Sequence, residues 1–266
     1  MPTVTSRDGT TIGYDRRGNG PAIIFVAGAT QYRAVDETTP GMADDLSDRF
    51  TIINYDRRGR GESSDTAPYA VQREVEDIEA LIDVAGGRAG LYGMSSGAVL
   101  ALEAGVTLGD KVTGVLLYEP PVDPSRPAAE AWSRHAKMVD LAKKGDADAM
   151  MVDFMSGVGM PPEAVEGFRN SPAWAGFAAV GLTLEHDYRI MAEAVDGDHP
   201  PARWQEISAP VLVVNGDASF PFIEPGAAWV AAAVPGAKRK LLPGQSHQFD
   251  PKVLGPVIAE FFGQLK

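Results

Sequence analysis

Five residues, Gly93-Met94-Ser95-Ser96-Gly97, join a strand-like stretch to a helix-like one, and no other segment restricts the architecture so closely. Upstream, Arg88-Ala89-Gly90-Leu91-Tyr92 is short and apolar. Downstream, Ala98-Val99-Leu100-Ala101-Leu102-Glu103-Ala104 reads as a helix. A G-x-S-x-G at such a junction predicts a nucleophile elbow, a tight and strained turn. The glycines permit the turn, and the serine oxygen stands clear of the backbone at the N-terminus of the following helix. That end carries unpaired N–H groups and partial positive charge, which favour an anion forming beside the serine.

Around this junction the chain alternates between strands and helices. Ala22-Ile23-Ile24-Phe25-Val26 is an unbroken apolar run, as expected of a strand covered on both faces, and residues 50–55 are similar. Residues 112–118, 210–214 and 238–242 give further strands. Residues 3–6 and 11–15 flank Asp8-Gly9, a hairpin signal. Val75, Ile78, Leu81 and Ile82 mark a helix over 71–84, and an amphipathic helix is predicted over 253–265. The expected class is α/β, a mostly parallel, doubly wound sheet.

One long interruption is predicted at 124–204, dividing a core of 1–123 and 205–266. Prolines crowd both of its ends, at Pro120, Pro121 and Pro124 and at Pro200 and Pro201. Between them, residues 128–144, 147–155 and 174–194 read as helices, so a helical cap over the sheet is expected. Its Met138, Met150, Met151, Met155, Met160 and Met191 are suited to filling irregular apolar space. Most are expected to pack the cap's own core. Met151, Trp174 and Phe177 are the candidates for a substrate pocket.

A serine nucleophile needs a base to take its proton and an acid to orient that base. Of the four histidines, His135, His186 and His199 fall in the cap segment. His247 instead follows the 238–242 strand through Pro243-Gly244-Gln245-Ser246, at a sheet edge where open α/β folds place ligand chemistry. Asp217 ends the run Val211-Leu212-Val213-Val214-Asn215-Gly216-Asp217, and the order serine, aspartate, histidine makes it the expected acid. Glu119, just past the strand ending at Tyr118, is the competing carboxylate.

Together these residues resemble the α/β-hydrolase superfamily over nearly the whole chain. Tyr55-Asp56-Arg57-Arg58-Gly59-Arg60-Gly61-Glu62-Ser63 is similar to the D-x-R-G-x-G-x-S loop of many members, which implies a structural role for Asp56 and Arg58. Many members carry His-Gly after the strand that here ends at Val26. This chain has Ala27-Gly28-Ala29-Thr30, which keeps the glycine. The resemblance implies an oxyanion hole built from the backbone N–H groups of Ala29 and Ser96.

The expected function is ester or lactone hydrolysis by Ser95, His247 and Asp217 through an acyl-enzyme, with a small-molecule substrate and no metal or organic cofactor. Alternatives on the same scaffold are carbon–carbon bond hydrolysis, thioester cleavage, perhydrolysis or a lyase reaction. A non-catalytic ligand receptor is a further one. A dinucleotide site is excluded by the glycine pattern, since Gly90, Gly93 and Gly97 do not form G-x-G-x-x-G. The formal net charge of -12 argues against nucleic acid as the main partner. The absence of cysteine removes disulfide, thiol and thiolate-metal chemistry. Without an apolar signal region or spanning run, no membrane association and a cytoplasmic location are the default expectations. Oligomeric state is left open.

Overall fold

In the computed structural model, which describes residues 2–195 and 199–265, the apolar runs become the inner strands of one eight-stranded sheet. The strands are β1 (Thr3–Thr5), β2 (Thr11–Arg17), β3 (Ala22–Val26), β4 (Thr51–Tyr55), β5 (Ala89–Met94), β6 (Val112–Tyr118), β7 (Val211–Gly216) and β8 (Lys238–Leu242). Their spatial order is β1-β2-β4-β3-β5-β6-β7-β8. The pairs β1–β2 and β2–β4 are antiparallel, and every later pair is parallel.

Helices α1 (Thr39–Leu46), α2 (Val71–Val84) and α3 (Ser96–Leu108) make the first three parallel crossovers. Between β6 and β7 come α4 (Ala128–Lys143), α5 (Ala147–Gly157), α6 (Pro162–Arg169), α7 (Trp174–Ala178) and α8 (Leu184–Glu193). Helix α9 (Ile223–Ala233) leads to β8, and α10 (Pro251–Gly263) closes the chain.

The period-two geometry of a strand explains the unbroken apolar runs. On one face, Ile24, Val26, Leu91, Val115, Leu117 and Val213 pack with residues such as Ile78 of α2, Val99 of α3 and Val230 of α9. Their neighbours Ile23, Phe25, Tyr92, Leu116, Tyr118 and Val214 enter a second core with Met42 of α1 and Leu254 and Ile258 of α10. Burying each such aliphatic side chain contributes roughly 1.5–3 kcal/mol. From β3 the chain crosses to β4 on one side and returns to β5 on the other. The crevice therefore opens at the C-terminal ends of β3 and β5, where connections leave in opposite directions.

The expected interruption is helical, with no sheet strand between β6 and β7, although residues 196–198 of it lie outside the described residues. Two details differ from expectation. The helix expected over 174–194 is divided into α7 and α8 by a 3-10 turn at Gly181–Thr183. A Cβ on Gly181 would stand 2.5 Å from the Ala147 carbonyl oxygen, so the chain turns tightly against the start of α5. The other is α6, which is opened by Pro162 in the first turn, where a missing N–H costs nothing. Among the described residues no helix is long and apolar enough to cross a membrane.

Candidate active site

Ser95 sits between β5 and α3 with φ 55° and ψ -129°, a conformation costing of order 1–3 kcal/mol for a residue with a side chain. Close packing enforces it. A Cβ on Gly93 would lie 2.3 Å from the Gly97 carbonyl oxygen, and one on Gly97 would lie 2.3 Å from that of Val26. The Ser95 N–H donates to the Tyr118 carbonyl of β6 at 3.0 Å. Among the described residues, three non-glycine positions have positive φ: Thr30, Ser95 and Glu119. They follow β3, β5 and β6, which are neighbours in the sheet. Backbone strain is thus gathered at one edge.

At that edge His247 meets a carboxylate, and it is not the expected one. His247 Nδ1 lies 2.8 Å from Glu119 Oε2, and Glu119 is fully buried. Asp217 is exposed, with its Oδ1 accepting from the Gly244 N–H at 2.6 Å. The expectation of Asp217 at the histidine is therefore corrected to Glu119. A short polar side chain after a glycine readily serves a turn, and here it braces the turn after β8. Glu119 Oε1 accepts from the Gly216 N–H at 2.9 Å, and Oε2 also accepts from Ser219 Oγ at 2.7 Å. These bonds satisfy a buried carboxylate that would otherwise be costly. The histidine loop is itself braced: Tyr118 Oη donates to the Ser246 carbonyl at 2.6 Å, and the Ala218 N–H donates to that of Gln245 at 2.9 Å. Phe220 stands 5.7 Å from the His247 ring, centroid to centroid.

Glu119 occupies Nδ1 and leaves Nε2 as the nitrogen for proton exchange. Ser95 and Glu119 follow Met94 and Tyr118, which are paired across β5 and β6, so the serine and the carboxylate leave adjacent strands at the same level. Among the described residues no hydrogen bond joins Ser95 to His247.

The loop after β3 closes against the serine. A Cβ on Gly28 would stand 2.9 Å from Ser95 Cβ, which explains the retained glycine. Its N–H donates to Gln31 Oε1 at 2.7 Å. Ala29 follows it in the loop, and Ser96 is the first residue of α3, so its N–H has no intrahelical acceptor. Two buried guanidiniums bind the loop's carbonyls: Arg57 Nη1 to Ala27 at 3.3 Å, and Arg60 Nη1 to Gly28 at 2.6 Å and Gln31 at 3.2 Å. Arg57 is doubly bonded to Glu74, and both arginines bond Asp187 of α8. Burial alone would raise the Glu74 carboxyl; Arg57 outweighs it and holds the group down to about 2. Sequence reasoning missed Ser219, Arg57, Arg60 and Asp187.

Asp56 and Arg58 hold the neighbouring loop. Asp56 accepts from the N–H groups of Arg33 and Glu62, and Arg58 pairs with Asp77 through two hydrogen bonds of 2.8 Å. Met151 and Trp174 are buried in a third apolar cluster, with Met138, Met150 and Met155. Trp174 Nε1 donates to Asp148 at 2.9 Å, which points its polar edge into the insertion. Phe177 is half-buried at the cluster's margin, as is Ala29, so this cluster reaches the loop after β3. Met191 packs against the sheet core instead.

A family model described as the alpha/beta hydrolase family matches residues 23–254. The chain belongs to this family. The alpha/beta hydrolase is 39% identical to an alpha/beta hydrolase of known structure from Sphaerobacter thermophilus, with a TM-score of 0.82 over 98% of this chain and 100% of that one. A 2-(acetamidomethylene)succinate hydrolase from Mesorhizobium japonicum is 28% identical over 94% of this chain and 91% of its own. The enol-lactonase from Burkholderia xenovorans shares the fold at 19% identity and a TM-score of 0.67, covering 99% and 100% of the two chains. Family and relatives make the protein a hydrolase, with small molecules as its substrates.

Proposed function

We propose that this hydrolase cleaves a carboxylic ester or lactone by nucleophilic catalysis, with Ser95 as nucleophile, His247 as base and Glu119 as acid. One observation carries the reading. A strained serine at a helix N-terminus lies one strand away from a buried carboxylate that is bonded to a histidine. Ser95 Oγ attacks the carbonyl carbon while His247 Nε2 takes its proton, and Glu119 fixes the tautomer and stabilises the imidazolium. The Ser95–His247 hydrogen bond forms in the substrate complex, where catalytic contacts tighten. The N–H groups of Ala29 and Ser96 receive the oxyanion. His247 then gives the proton to the leaving oxygen, and water, activated by the same histidine, releases the acid from Ser95. The helical insertion acts as a cap, and its apolar cluster beside Ala29 meets the substrate.

The guanidiniums bonded to the oxyanion loop are neutralised by Glu74 and Asp187, which favours an uncharged scissile region over a dicarboxylate. A receptor would have no use for the strain at Ser95 or for the buried acid.

A fluorophosphonate probe tests the reading. Wild-type protein is expected to be labelled at Ser95 and to turn over members of a series of esters and lactones. Ser95→Ala should abolish labelling and lower kcat by about four to six orders of magnitude with the fold intact. Near-wild-type turnover in that variant, or labelling elsewhere, would overturn it. Turnover of thioesters or diketones alone would keep the nucleophile and change the bond cleaved.

A further inference from the structure

Asp187 lies on α8, in the helical insertion, yet its carboxylate reaches the start of α3 and is almost fully buried there. Oδ1 accepts from Ser96 Oγ at 2.7 Å and from Arg57 Nη1 at 2.7 Å; Oδ2 accepts from Arg60 Nη2 at 2.6 Å. Arg60 is held at a second nitrogen by Thr183 Oγ1, 3.0 Å from Nε, also in the insertion. Its remaining nitrogen, Nη1, donates to the Gly28 carbonyl.

That last bond has a geometric consequence. The carbonyl of Gly28 and the N–H of Ala29 belong to one planar peptide unit and point in opposite directions. Fixing the carbonyl on Arg60 therefore aims the Ala29 N–H to the other side of the unit. Gly28 in turn sits against Ser95. The second donor is tied to the same carboxylate, because Ser96 carries it and bonds Asp187 through its hydroxyl.

We infer that Asp187 is a positioning residue: it couples the docking of the helical insertion to the aim of both oxyanion donors, reaching Ala29 through Arg60 and Ser96 directly. This rests on the proposed reading of Ala29 and Ser96 as the oxyanion hole. Its role concerns the transition state, where negative charge develops, and not ground-state binding. Substrates gripped by the insertion thus meet an oxyanion hole whose geometry that insertion sets.

Asp187→Asn tests it, with Asp77→Asn as the control. Asp77 pairs with Arg58 in an equally buried bridge that has no contact with the oxyanion loop. For an ester that wild type turns over, Asp187→Asn should lower kcat and the rate of Ser95 phosphonylation together by about 10- to 100-fold. KM should stay within about threefold, because an interaction made only in the transition state is what is weakened. Asp77→Asn should lower the melting temperature while leaving kcat per folded molecule within about twofold. Unchanged kcat and phosphonylation in folded Asp187→Asn, or an equal fall in Asp77→Asn, would overturn the inference. Should Asp187→Asn fail to fold, Ser96→Ala decides, since it cuts one link without burying a lone charge. A fall in kcat of about 3- to 10-fold at constant KM is then expected, and wild-type kcat overturns the coupling. Wild-type protein that is never labelled at Ser95 would refute the underlying reading as well, a result distinct from a normal label in Asp187→Asn.

Discussion

Strands β6 and β7 lie side by side and run the same way, and each is followed by a carboxylate, Glu119 in one case and Asp217 in the other. Only Glu119 is built into the site. It is fully buried, has φ 49°, donates its N–H to the Val214 carbonyl and accepts three hydrogen bonds, one of them from His247. Asp217 is exposed and caps a turn. The loop expected to carry the acid carries the donors that hold it, through the Gly216 N–H and the Ser219 hydroxyl. Position at a strand end puts a residue near the crevice, and backbone conformation with burial decides which one meets His247.

The largest effect that would break this comparison is on turnover in Glu119→Gln. The amide favours the wrong imidazole tautomer and removes the charge facing the imidazolium, so kcat should fall by about 10³- to 10⁴-fold with the fold intact. Turnover near wild type would deny Glu119 its role. A smaller loss sharpens the account of how the acid is held. Ser219→Ala removes one donor from Oε2 and should lower kcat by about 3- to 10-fold, as expected for a net hydrogen bond worth roughly 1 kcal/mol. No change would show that Gly216 suffices. The smallest effect belongs to Asp217→Asn, where kcat should stay within about twofold and stability within about 1 kcal/mol. A loss as large as that of Glu119→Gln would restore the acid to β7.

The legible and illegible parts of this protein separate along the same line. Strand runs such as Ala22–Val26 and Val112–Tyr118 and the helix Val71–Val84 were readable because burial on one face or two leaves a pattern in the sequence. The elbow was readable because Gly93 and Gly97 are demanded by contacts under 2.5 Å. His247 stood out by its place after the last strand. The choice between Glu119 and Asp217 left no such mark, since both are carboxylates at strand ends and both lie between Ser95 and His247 in the chain. Asp187 was invisible for a different reason. It is one acidic residue on an amphipathic helix, and its partners lie 91 to 130 positions away in sequence. The division of 174–194 into two helices depended on Gly181 passing close to Ala147, a contact between segments that local preference does not encode.

The central claim is that His247, the proposed base for Ser95, is held by the carboxylate after β6. Proton NMR of protein carrying ¹⁵N-labelled histidine measures it, with the Nδ1 proton of His247 assigned by its loss in His247→Ala. A proton shared with a buried carboxylate at 2.8 Å should resonate far downfield and exchange slowly with water. It should persist unchanged in Asp217→Asn and be lost or moved strongly upfield in Glu119→Gln. A resonance that survives Glu119→Gln and disappears in Asp217→Asn would contradict the account.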